Sequence, residues 1–257
     1  YRPEDLRIMR GILDEDETTL EGLRRGDLTV VFFDARGDIR SEIIDTIAAY
    51  RKRSKRVLFF EMSNGAVIEE RKKQLLQRDL HPSTVTFDTH GASGSLKVNR
   101  GKDTYRIVSE RSAARTRRDV FVGDLVDELM SDGFMQPNRG IDSADEAIGT
   151  IEIFFSACSS DEGNEATRGS ALRRSIARAA VDAASSWGTK ARIYGSRSRM
   201  SVTWGGGAIR YVNLDPLKHT DGEQSAMTRY TFDPNHFADE GIALEHIDGV
   251  VHDRRAA

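Results

Sequence analysis

The sequence predicts an α/β fold: a mainly parallel central sheet flanked by helices. Three observations carry that expectation. Five short segments are dense in β-branched and aromatic residues, with the near-continuous apolar character of strands buried on both faces. Patterns of helical period stand between the first three, giving the strand–helix–strand–helix–strand order of a parallel sheet with crossover helices. The length of 257 residues, 38% hydrophobic and 31% charged, suits one water-soluble domain. The reading places the core at about residues 28–214, with a lead-in over 1–27 and a loop-rich tail over 215–257.

Taken in order, residues 1–26 read as a helical or irregular lead-in, with Leu13, Leu20 and Leu23 packing onto the domain. Residues 28–34 (L-T-V-V-F-F-D) form a first buried strand, and Ile43, Ile44, Ile47 and Tyr50 mark a helical stripe over 39–53. Residues 56–61 (R-V-L-F-F-E) predict a second strand, 67–78 a helix and 84–89 a third strand. Residues 95–98 and 104–108 flank Asn99-Arg100-Gly101-Lys102 as a hairpin. Residues 119–131 read as an amphipathic helix with Val122, Leu125, Val126 and Leu129 on one side and Asp119 as its cap. A loop over 133–146 leads to a fourth strand at 148–155, an alanine-rich helix at 169–187 and a fifth strand at 190–194. Residues 199–204 and 208–214 flank Gly205-Gly206-Gly207, a second hairpin.

Composition narrows the function classes. A net charge of −3 gives no nucleic-acid signature, and no apolar run is long enough to span a bilayer. No signal peptide is visible. The single cysteine excludes an internal disulfide framework and any multi-cysteine zinc site, and it points to a reducing compartment. Basic clusters at 51–56, 71–73 and 111–118 read either as solvated helix ends and loops or as a polyanion contact. His81, His219, His236 and His246 fit no metal-ligand spacing and read as structural or surface residues. No G-x-G-x-x-G or P-loop pattern follows the first strand, which disfavours a nucleotide binder.

Two stretches carry the chemistry. S-T-V-T-F-D-T-H-G (83–91) ends a strand in His90 and Gly91; I-E-I-F-F-S-A-C-S (151–159) ends another in Ala157 and Cys158. In one parallel sheet the carboxyl ends of both strands fall on the edge where open α/β sheets bind ligands. A thiol and an imidazole brought together there make a nucleophile and its acid–base partner. A buried strand ending in His-Gly, followed later by one ending in Ala-Cys, resembles the caspase-like cysteine peptidases of clan CD. The spacing (158 − 90 = 68) exceeds the roughly 50 residues of caspases and implies an insertion. The resemblance covers about residues 28–197.

The resemblance implies a caspase-like three-layer sandwich and cysteine endopeptidase activity through a His90–Cys158 dyad, with the Gly91 and Cys158 N–H groups as the oxyanion hole. It is similar in kind to bacterial effector, toxin self-processing and CHAT domains, acting in the cytoplasm or in a host cytosol on a protein or peptide substrate. Such a domain requires no cofactor, though an activator or partner protein fits the pattern. The alternative within the same fold is a regulatory or protein-binding module without activity. Asp88, two residues before His90, either orients the imidazole or caps the turn. Asp161 and Glu162 line an acidic pocket for a basic P1 residue or are solvated loop charges. Arg197 and Arg199 fall where this family builds substrate walls, and Trp204 either stacks on substrate or joins the core. The second hairpin resembles the β-flap of toxin domains activated by inositol hexakisphosphate, with Lys190, Arg192, Arg197, Arg199 and Arg210 as candidate contacts.

Overall fold

A computed structural model describes residues 21, 23–24, 28–34, 56–62, 64–92, 94–98, 105–111, 116–139, 149–157, 176–196, 200–205, 208–213, 227–232, 244–247 and 250–252, with backbone alone from residue 200 onward. The expected helix at 39–53, most of the lead-in and residues 140–146 of the expected loop over 133–146 lie outside the described residues.

Seven strands form the central sheet. β1 (Leu28–Phe33), β2 (Val57–Glu61) and β3 (Pro82–Asp88) are joined by β8 (Ile151–Ser156), β9 (Ala191–Ser196), β12 (Met227–Phe232) and β13 (Leu244–Ile247), in the order β13-β12-β9-β8-β3-β1-β2. The five strands from β2 to β9 are parallel, whereas β12 runs antiparallel to β9 and β13 antiparallel to β12. All five strand segments expected from sequence are therefore in one sheet, with shifted ends. The order β2-β1-β3-β8-β9 reverses direction at β1/β3, the switch point of a doubly wound sheet.

Sheet composition follows from burial. Every residue of β3 and of β8 is buried, so both faces of the central strands are covered. Phe60, Phe32, Phe87 and Phe155 occupy one register row across four strands and tile one face, with ring centroids 5.6–5.9 Å apart. Phe154 stacks on Tyr194 at 4.0 Å, and these two lie outside the core cluster that contains Phe87 and Phe155, as alternation along β8 requires.

Helix α1 (Ala66–Leu76) has Glu69 in its first turn and Lys73 in its last, both favourable to the helix dipole. It buries Ile68, Lys72 and Leu75, one stripe at helical spacing. Lys72 is only 4% exposed at its side chain, and its ammonium sits on the carboxyl end of α2 (Val122–Met130). There it donates to the Glu128 carbonyl at 2.7 Å, Glu128 Oε1 at 2.8 Å and Ser131 Oγ, and pairs with Asp132 at 3.0 Å. Helix α2 buries Val122, Leu125, Val126 and Leu129, as the apolar stripe predicts, and packs on α3 (Ile176–Ser186).

A second sheet, β4-β5-β6-β7, comprises β4 (His90–Ala92), β5 (Ser95–Val98), β6 (Tyr105–Val108) and β7 (Asp119–Phe121). β5 and β6 form the expected hairpin. Asp119 does not cap α2: the N-cap is Phe121, and Asp119 sits in β7 with its carboxylate buried. It accepts a bidentate pair from Arg106 at 2.8 and 2.5 Å and the Thr116 N–H at 2.9 Å, so the acid ties two strands instead.

The expected loop-rich tail is corrected as well. Residues 227–232 and 244–247 extend the central sheet, and β14 (Val250–His252) pairs with β11 (Ala208–Asn213), itself hairpinned to β10 (Met200–Gly205). Among the described residues no helix is long and apolar enough to cross a membrane.

Candidate active site

The carboxyl edge of the sheet is built by adjacent strand ends. β3 and β8 are parallel neighbours, and their last pair is Asp88 opposite Ser156. Cys158 lies outside the described residues. It follows Ser156 by two residues, as His90 follows Asp88, and two peptide units reach at most about 7 Å. The two strands lie about 4.8 Å apart, and β8 ends in a tight turn in which the Ala157 N–H donates to the Phe155 carbonyl at 2.9 Å.

Sequence reading takes His90 as the end of β3. The structure instead ends β3 at Asp88, leaves Thr89 between, and starts β4 at His90. The chain thus passes from the central sheet into the small one across a single residue. Asp88 and Thr89 are buried and His90 is half-buried, with its Nε2 sealed from solvent.

Backbone register fixes which way each group on β4 faces. The Ser109 N–H donates to the Gly94 carbonyl at 3.1 Å, so residue 94 faces β6. Alternation turns Leu96 toward β6 and Ser95 and Lys97 toward β4. Ala92 and His90, opposite Ser95 and Lys97, exchange bonds with β5, while Gly91, opposite Leu96, turns its N–H and C=O away from β5. The Arg106 N–H, which donates to the Arg118 carbonyl at 3.3 Å on the β7 side, keeps the same alternation one strand further on.

The same parity runs through the bend. The Asp88 carbonyl accepts the Asp34 N–H at 3.0 Å on the β1 side. The Thr89 N–H donates to the Ser156 carbonyl at 3.4 Å on the β8 side. Gly91 therefore presents its N–H and C=O on the side of β4 away from β5. This feature is invisible in the sequence, because it depends on the hairpin register. Gly91 is not among the described glycines at positive φ, so no left-handed backbone requires a glycine there.

A polar layer lines the edge. Asp34, Asp88 and Ser156 are buried at 1%, 8% and 2% exposure, on three adjacent strands. Ser156 Oγ is shielded from water and has no hydrogen-bond partner among the described residues. Sequence reasoning missed Asp34 and Ser156; their signal is a polar residue closing an otherwise apolar strand. Among the described residues no three His, Cys, Asp or Glu side chains gather as a metal would need.

Other expected site residues fare differently. Asp161, Glu162, Arg197 and Arg199 lie outside the described residues. Trp204 lies in β10 opposite Ile209. Lys190 precedes β9 at the amino end of the sheet, whereas Ser196 closes that strand at the carboxyl end, about 20 Å away at strand rise. Of the other expected polyanion contacts, Arg192 lies in β9 and Arg210 in β11. His81 is structural: Nδ1 donates to the Gly133 carbonyl at 2.8 Å and Nε2 meets Asp79 Oδ1 at 3.1 Å. Within the basic stretch 111–118, Arg111 pairs with Asp124 at 2.9 Å and lies over the Phe121 ring at 4.7 Å, while 112–115 fall outside the described residues.

No family model, curated protein or solved structure matches the chain.

Proposed function

We propose that the protein is a cysteine endopeptidase of caspase-like architecture, with Cys158 as nucleophile and His90 as its acid–base partner. The observation that carries the reading is the pairing of Asp88 with Ser156 on neighbouring parallel strands. It sets the protein's only cysteine and His90 each two residues past the same rung, at the edge where α/β sheets bind ligands.

The chemistry follows from the residue types. The Cys158 thiolate attacks the peptide carbonyl carbon, and the carbonyl π pair moves onto oxygen. The N–H groups of Gly91 and Cys158 receive that oxyanion, and the outward parity of Gly91 supports its part. His90 gives its proton to the leaving amine as the C–N bond breaks, leaving a thioester. It then takes a proton from the water that hydrolyses the thioester, and the sulfur leaves as the thiolate with which the cycle began. Asp88, buried two residues before His90, supports the imidazole's position.

The test uses unfolded casein as substrate. Cys158→Ala and His90→Ala each lower cleavage by at least about a thousandfold, because each removes one part of a coupled unit. Cys158→Ser is nearly as inactive, a hydroxyl being a poor nucleophile at neutral pH. Circular dichroism of each variant matches wild type. Cleavage retained by either folded alanine variant assigns the chemistry elsewhere.

A further inference from the structure

We propose that Gly91 is the single rung on which the substrate main chain docks, its carbonyl accepting one substrate N–H while its own N–H faces the scissile carbonyl. The inference rests on the peptidase reading and names what that site recognises: an extended polypeptide backbone bearing a free N–H at one defined position.

The argument starts from the shape of β4. It is three residues long, His90 to Ala92, and among the described residues it pairs only with β5. His90 and Ala92 direct their backbone groups to Lys97 and Ser95. Gly91 alone presents both a donor and an acceptor on the outer side. Edge groups of this kind are templates for an added strand. β4 follows Thr89 directly, so a chain bonded to Gly91 lies one residue from the imidazole. An incoming peptide gains one pair of main-chain bonds there, not a ladder.

Strand geometry then states which substrate N–H is read. With the Gly91 N–H on the carbonyl of P1, an antiparallel substrate returns the N–H of P1 itself to the Gly91 carbonyl. A parallel substrate returns the N–H of P2′. In either direction one position must be a secondary amide, and proline is rejected there because it has no N–H. Recognition at this rung is blind to side-chain chemistry, and side-chain preference comes from other parts of the site.

The experiment removes that N–H without adding bulk. Unfolded casein is digested with wild-type protein, and mass spectrometry locates a cleaved bond. An octapeptide spanning it is made in native form and in three depsipeptide forms, each with the matching α-hydroxy acid at P1, P2′ or P4. Replacement at P1 or at P2′ lowers kcat/KM about tenfold, the loss of one hydrogen bond in a desolvated site. Replacement at P4 changes it less than about twofold. Wild-type rates for both the P1 and P2′ forms overturn the docking while leaving the peptidase reading intact. Failure of wild-type protein to cleave casein overturns the peptidase reading and the docking with it.

Discussion

Phe87→Leu isolates the contribution of the aromatic row beneath the proposed site. Phe87 is fully buried and stacks on Phe32 and on Phe155, each at 5.6 Å with planes 14° and 11° apart. Leucine keeps an apolar side chain but loses both ring pairs, about 0.5–1.5 kcal/mol each. The smaller volume costs about another 1 kcal/mol. The expected loss is about 2–4 kcal/mol. Phe154→Leu offers a comparison at an equally buried ring, which stacks on Tyr194 at 4.0 Å; that pair and the smaller volume give a loss of about 1.5–2.5 kcal/mol. Urea unfolding followed by circular dichroism reads both, as a lower midpoint at unchanged slope. A Phe87→Leu loss below about 0.5 kcal/mol refutes the row as a stabilising element.

Gly65→Ala places a Cβ 2.9–3.1 Å from the buried Tyr105 ring, and thermal melting should report a loss of about 1–3 kcal/mol from that overlap. Burial, with Glu69 nearby, raises the Tyr105 hydroxyl above its ordinary value of 10.0. The neutral phenol is the favoured folded form, so its contribution is complete below pH 10 and is lost as pH rises above it; in an ultraviolet phenolate titration of the folded protein, Tyr105 ionises above the ordinary tyrosine range. Arg106→Ala removes the bidentate partner of the buried Asp119 carboxylate, and urea unfolding should show a loss of about 3 kcal/mol. The hydrogen bond from Lys72 holds the exposed Asp132 carboxyl below its ordinary range, so its contribution is present above about pH 4 and fades as pH falls; carbon-13 NMR titration of Asp132 should return to the ordinary range in Lys72→Met.

The central sheet was legible because its strands are buried on both faces. V-V-F-F, V-L-F-F and I-F-F leave no second period to confuse with a helix. Residues 227–232 (M-T-R-Y-T-F) escaped notice because a strand joining the sheet antiparallel, beyond its parallel core, mixes apolar and polar residues between turn-rich flanks. Asp119 misled because an acid before an apolar stripe has the pattern of a cap, and only tertiary structure brings Arg106 to it. At the candidate site, the sequence pointed to His90 and Cys158 as candidates but not to the setting of His90. The run T-V-T-F-D-T-H reads as one strand, and nothing local reveals that Thr89 divides two sheets or that Gly91 faces outward. Those facts come from pairings with Leu96 and Ser156, one close along the chain and one far.

That contrast between near and far pairing has a consequence for the order in which the protein assembles. The β4–β5–β6 meander closes through short connections and can form on the microsecond scale of hairpins. The β3–β8 pairing joins Thr84 to Glu152 and must close a much longer loop, as topology-limited folding requires. A nascent or partly unfolded chain therefore presents His90 and Gly91 on a finished meander before the segment leading to Cys158 has docked. Under the proposed chemistry, thiol and imidazole meet only when the most distant contact of the edge is made. Hydrolytic competence then arrives with one of the last steps of folding, so a half-made chain holds the parts of a peptidase without being able to cut itself or its neighbours.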